Sequence, residues 1–149
     1  MQLRDYFDER AVKLELAGQA KDEILRELIG LLDLDERCNG ILFKMLKRRE
    51  NLGSTGIGRG IAIPHCRSLV VSSLRVAYGR KTAGVEFNAI DNQPVHNFFL
   101  IVAPPIEVSN EYLPLLGRLA QFAKVDGIAH KLAAVNTPSE FMALIEQQA

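Results

Sequence analysis

The sequence predicts an α/β fold, a β-sheet with helices on both faces, and three observations carry that reading. Apolar stripes of helical period alternate along the chain with short runs of strand-forming residues. One of those runs, "VHNFFLIVA" at 95–103, is continuously apolar after Asn97, as a strand covered on both faces must be. No repeat, low-complexity tract or linker divides the 149 residues, so a single domain over 1–149 is expected.

The elements follow in order. In "KDEILRELIGLL", which begins at Lys21, residues Ile24, Leu25, Leu28, Ile29, Leu31 and Leu32 share a helical stripe, with acids in the first turn. A second helix is expected over about 35–49, its apolar face made by Ile41, Leu42, Met45 and Leu46 and its C-terminal end loaded with positive charge by "KRR". The glycine-rich segment after it is a stop, and inside that segment "GIAIP" reads as a strand ending at Pro64. "SLRVAYG" alternates from Leu74 to Tyr78 as a strand does, and "VEFNAIDNQPV" supplies an Asp-Asn turn signal before the run at 95–103. That run ends at Pro104 and Pro105.

A helix over about 110–124 should bury Leu113, Leu116, Leu119, Ala120 and Ala123. Pro114 is tolerated near its start, where the missing N–H has no intrahelical partner to lose. Thr137 as cap, Pro138 at the first helical position and Glu140 three residues after the cap open the last helix, "FMALIEQQ".

Composition excludes several classes of partner. Eighteen basic residues balance eighteen acidic ones, so no global field draws the chain to nucleic acid or to an anionic membrane. No apolar stretch approaches the ~18 residues of a membrane span, and the mixed charges of the first ten residues do not suit a signal peptide. Cys38 and Cys66 form neither a paired motif nor a disulfide framework, which points to a reducing, cytoplasmic setting.

The chemistry concentrates in "NLGSTGIGRGIAIPHCRS" at 51–68. Locally, this run fits a tight turn with an incidental histidine and also a loop that presents a reactive imidazole. On the second reading, His65 is a nucleophile whose neutral ring, with an ordinary pKa near ~6.5, is available to attack phosphorus at neutral pH. Pro64 stiffens the backbone before it, Gly56, Gly58 and Gly60 allow successive N–H groups to face an anion, and Ser54 and Thr55 add hydroxyls. Of Arg48, Arg49, Arg59 and Arg67, at least one is expected to clamp phosphate oxygens, and spacing does not say which.

The run lacks the Gly-Lys-Ser/Thr end of a Walker loop and the spacing of a dinucleotide fingerprint. Cys66 beside His65 would point to the opposite face of an extended backbone, which argues against a thiol nucleophile or a metal pair; neither metal nor cofactor is expected. His96 and His130 read as structural or merely exposed.

The string "MLKRRENLGSTGIGRGIAIPHCRS" closely resembles the active-site segment of the fructose, mannitol and nitrogen-regulatory class of enzyme IIA of the bacterial phosphoenolpyruvate-dependent phosphotransferase system. The similarity extends through "DEILRELIGLL", "FNAIDNQPV", "EYLPLLGRLAQ" and "TPSEFMALI", most of all in the manner of the nitrogen-regulatory members. The resemblance implies the mannitol/fructose-type fold, a mixed sheet between helices. It implies that His65 accepts a phosphoryl group from a phosphohistidine on HPr or its nitrogen-branch counterpart, and that Arg49 neutralises the group.

Two departures stand out. Cys66 replaces the usual glycine after the histidine, and Tyr112, in Glu111-Tyr112-Leu113, stands where members usually carry a second histidine. A phenol with a pKa of about 10 donates a hydrogen bond but offers no cation.

The leading expectation is a regulatory phosphoryl carrier acting on a target such as a kinase or transporter. The absence of permease and second carrier segments from these 149 residues favours regulation over uptake. The alternatives are a sugar-specific fructose or mannitol subunit and a binding module that no longer transfers phosphate.

Overall fold

A computed structural model describes residues 2–107 and 110–148. Its centre is strand β6 (Val95–Ala103), nearly every residue of which is buried. Strand β5 (Arg75–Val85) runs antiparallel along one side of it, and β1 (Val12–Lys13) adds in parallel beyond β5. On the other side of β6 lie two short parallel strands in line, β3 (Ile61–Ala62) and β4 (His65–Arg67). An antiparallel β2 (Gly56–Gly58) completes the sheet outside β3. The sheet is therefore mixed, and β5 reaches well past the expected Tyr78.

Alternation along β6 sorts the core into two layers. Phe98, Leu100 and Val102 pack with Ile24, Leu25, Leu28 and Ile29 of α1 (Lys21–Gly30) and with Leu42 and Leu46 of α2 (Glu36–Asn51). Phe99, Ile101 and Ala103 face the opposite layer, built from α3 (Tyr112–Phe122), the short α4 (Ile128–Ala133) and α5 (Pro138–Gln148). Two turns of 3-10 helix at Leu3–Tyr6 and Glu9–Ala11 precede β1. Thr137 caps α5 as expected, its Oγ1 accepting the Glu140 N–H at 3.1 Å.

Three expectations need correction. The strand predicted to end at Pro64 is shorter, β3 covering only Ile61–Ala62, and a second strand follows it in line. Proline lacks a donor, so the ladder pauses, but its carbonyl still accepts the Ile101 N–H at 2.9 Å and the chain resumes as β4. His65 consequently opens a second strand as well as following the first.

In α3 the buried face is Tyr112, Leu115, Leu119 and Phe122; of the predicted stripe Leu119 and Ala123 are buried, while Leu113 is 69% exposed. Both stripes are apolar; the one carrying Tyr112 and Phe122 fills more core volume than the one carrying Ala120. In α2, Ile41 is exposed, and the buried line runs Leu42, Leu46, Glu50 at intervals of four.

Candidate functional site

His65 and Arg67 sit two residues apart on β4, opposite Ile101 and Ala103, so both face the α3 layer. The first turn of α3 places Tyr112 between them. Its ring centroid is 6.2 Å from that of His65, and the Arg67 guanidinium lies over the ring, 4.6 Å from the centroid. Arg67 is held there by the Pro104 carbonyl at 3.0 Å and lies 3.8 Å from the Glu107 carboxylate, which also accepts the Tyr112 N–H at 3.0 Å. Cys66 faces the other layer, where burial pushes its thiol up to about 12 and leaves it unreactive.

The half-buried His65 ring is oriented by its own backbone. Nδ1 lies 2.6 Å from the Ile63 carbonyl oxygen, which can only accept, so Nδ1 carries the proton and Nε2 keeps its lone pair. Burial chiefly holds this imidazole below the usual histidine range; the Ile63 carbonyl pulls the other way, and Arg49 and Glu50 act with opposite, smaller effects. A neutral ring with a free Nε2 is the form that attacks. Tyr112 is pushed up to about 12, chiefly by burial, so it remains a neutral phenol.

Arg49, on the last turn of α2, donates to the Gly53 carbonyl at 2.8 Å, and its charge is felt by both His65 and Tyr112. Its neighbour Glu50 is buried at 5% exposure. One of its oxygens accepts the Thr55 N–H at 3.1 Å and pairs with Lys21 Nζ at 3.0 Å, while the other accepts the Thr55 hydroxyl. Lys21 also reaches the Phe87 carbonyl and lies over the Phe87 ring. This buried ion pair clamps the loop between Arg49 and His65. Sequence reasoning missed Glu50 and Lys21; the only signal was a charged residue at i, i+4, i+8 with Leu42 and Leu46.

The predicted phosphate cradle is divided. The Ser54 hydroxyl donates to the Phe87 carbonyl at 2.7 Å and accepts the Gly56 N–H at 3.0 Å, and that of Thr55 is committed to Glu50. Gly56 is pressed against Ala89, where a Cβ would come within 2.8 Å. Gly58 and Gly60 are displaced from His65 altogether. They flank a turn beside His96 and Asn97, and Asn97 stands four residues before Ile101, about 13 Å along the strand.

Of the four candidate arginines, Arg49 and Arg67 stand at the His65 end. Arg59 caps the Lys124 carbonyl at 3.0 Å at the other end, and Arg48 is exposed on α2. Among the described residues, no group of three or more His, Cys, Asp or Glu is placed to hold a metal ion, and no helix is long and apolar enough to cross a membrane.

A mixed sheet between two helical layers, with a neutral imidazole and two arginines at its edge, has the form of a histidine phosphoryl carrier. Residues 5–148 match the family model for the phosphoenolpyruvate-dependent sugar phosphotransferase system, EIIA 2. The chain belongs to this enzyme IIA family and is a phosphotransferase component.

It is 31% identical over 151 aligned residues to the nitrogen regulatory protein of Klebsiella oxytoca, covering 99% of this chain and 91% of that protein. It is 29% identical over 149 residues to the fructose-specific EIIABC component of Bacillus subtilis, covering 99% of this chain but only 23% of that longer protein. Among solved structures, the nitrogen regulatory protein IIA-Ntr of Neisseria meningitidis superposes with a TM-score of 0.86 at 29% identity, over 96% of this chain and 98% of that one. The mannitol IIA of Escherichia coli shares the fold, with a TM-score of 0.76 at 19% identity over 93% and 98% of the two chains.

Proposed function

We propose that His65 accepts a phosphoryl group on Nε2 from the phosphohistidine of an HPr-like carrier, and that the charged state of the protein regulates a partner. The observation that carries this is the 2.6 Å tether of Nδ1, which leaves Nε2 as the free lone pair. In the transfer, the P–N bond to the donor imidazole breaks as the Nε2–P bond forms. The donor nitrogen recovers its lone pair, and the proton on His65 Nδ1 stays where Ile63 holds it.

Charge on the equatorial phosphoryl oxygens is met by Arg49 and by Arg67, with Tyr112 as a neutral hydrogen-bond donor. Ser54, Thr55 and Gly56 serve by shaping the loop, since their hydroxyls and N–H already have protein partners. The phosphoryl group adds roughly −1.5 to −2 charge at the exposed edge of the sheet, enough to remake an interface. The nitrogen regulatory relatives support the regulatory role.

The test is labelling with phosphoenolpyruvate, enzyme I and the carrier. Wild type should acquire acid-labile phosphate, and His65→Ala should acquire none; equal labelling of the two would end the assignment. Passing the labelled protein to a IIB domain separates regulation from sugar uptake, the reading that the B. subtilis relative favours. Rapid discharge would move the assignment to uptake. Tyr112 at the second-histidine position favours a further reading, a module that binds its partner without transfer; failure of wild type to label, with partner binding unaffected by His65→Ala, would establish it.

A further inference from the structure

The end of the sheet remote from His65 holds a second group of cations around a cavity of about 270 Å³, between β5, the Gly58–Gly60 turn and α4. We propose that this cavity binds a small organic anion, a carboxylate or phosphate monoester of a few carbons. The proposal rests on no reading of His65.

The walls supply donors. Arg80 Nε donates to the Leu14 carbonyl at 3.0 Å, and Nη1 to those of Leu132 and Val135 at 2.8 and 2.7 Å. Those three bonds fix the guanidinium plane and leave Nη2 without a hydrogen bond among the described residues. Arg59 spends one nitrogen on Lys124. Asn97 is buried at 4% exposure, and its Oδ1 accepts the Tyr78 hydroxyl at 2.6 Å; its amide nitrogen makes no hydrogen bond among the described residues, although Asn97 lines the cavity. That nitrogen is not sealed from solvent, so it is open to an acceptor that enters the cavity.

No carboxylate lines the cavity among the described residues, and the one lining hydroxyl, Thr82, turns away to Glu15 at 2.6 Å. Arg59, Arg80 and Asn97 therefore offer donors and positive charge with no opposing carboxylate, beside the rings of His96 and His130 and a small apolar wall of Ala129 and Ala133. That combination suits an anionic head on a short carbon body, and the volume falls just under the ~300 Å³ at which pockets for larger ligands begin.

The backbone is distorted to make this place. Arg59 adopts φ +58° between two glycines that are also at positive φ, and the β5–β6 register slips between Arg80 and Val85. A non-glycine residue at positive φ is uncommon, and bulges recur where a strand must re-aim side chains. Here both distortions border the same cavity.

The experiment is a ¹H–¹⁵N titration of the whole chain with succinate, with glycerol 3-phosphate and with inorganic phosphate at constant ionic strength. Saturable shifts are expected at residues 59–60, 80–84, 96–97 and 129–133, and the tightest of the three probes identifies the source of the anion. Arg59→Gln, which keeps a side chain at the same backbone position, should weaken binding about tenfold, as expected for loss of one charged hydrogen bond. Ala133→Glu, a carboxylate placed on an exposed position of α4, should abolish it, while His65→Ala should leave the affinity unchanged. No saturation below about 10 mM with any probe, or binding to Ala133→Glu as tight as to wild type, would overturn the proposal.

Discussion

His65 and His96 stand toward opposite ends of the same sheet, and each holds Nδ1 against backbone carbonyls. The distance is 2.6 Å to Ile63 in one, and 3.2 and 3.1 Å to Lys81 and Thr82 in the other. The rings differ in what meets the remaining nitrogen. The His96 edge is packed on Gly84, where an added Cβ would fall 2.7 Å from Cε1 and 3.1 Å from Nε2. The His65 ring instead stands beside Tyr112 within the field of Arg49. A carbonyl tether selects a tautomer at both ends; what differs is the surroundings, Tyr112 and Arg49 at His65 and the close-packed Gly84 at His96.

The ends also differ in what supports them, and the largest predicted effect breaks the support under His65. Glu50→Ala strands Lys21 and unpairs Thr55, so denaturant unfolding should show a loss of about 3–5 kcal/mol. Glu50→Gln, which keeps an acceptor for Thr55, should lose less.

Next is Arg49→Gln. Removing one preorganised donor at a reacting oxyanion costs about 100-fold in rate, so labelling of His65 should slow by that order. The titration midpoint of His65 should rise, because the Arg49 charge holds it down. The same shift appears in stability. With a folded-state value below ~6.5, the unfolded chain takes up a proton that the native ring refuses, so stability falls as pH drops through that window. Arg49→Gln should shrink this loss, measured as the difference in unfolding free energy between pH 7 and pH 5.5.

Gly84→Ala carries the comparison to the other end. It places a methyl against the His96 ring at φ +80°, and should cost about 1–3 kcal/mol while labelling at His65 proceeds at the wild-type rate. A fall in labelling would show that the two ends are coupled.

The nearness of Arg49 to His65 was legible through the resemblance carried by one contiguous string, and the helix stripes of α1 and the cap at Thr137 because they obey local rules. The division of the glycines was not. Gly56, Gly58 and Gly60 are neighbours in sequence, but the parallel register of β3 and β4 on β6 carries Gly60 to His96 and His65 to Ile101. The buried face of α3 was equally hidden, since either of two apolar stripes could have turned inward. Arg67 was one of four equal candidates until i, i+2 spacing on a strand put it on the His65 face.

The smallest effects are expected at Tyr112, and they bear on whether this site has lost a cation or moved it. Arg67 stacks over the Tyr112 ring and Glu107 holds the backbone N–H of Tyr112, so a positive charge already stands near where a second imidazole would. If Arg67 carries the charge and the phenol contributes one neutral hydrogen bond, Tyr112→Phe should slow labelling only about three- to tenfold, the worth of such a bond. Tyr112→His should speed transfer or lengthen the life of the phosphohistidine by a similar factor. In Arg67→Ala that gain should be larger, because the new imidazole would then supply the only cation on that side of His65. Equal gains in the two backgrounds would mean that Arg67 does not stand in for the missing histidine.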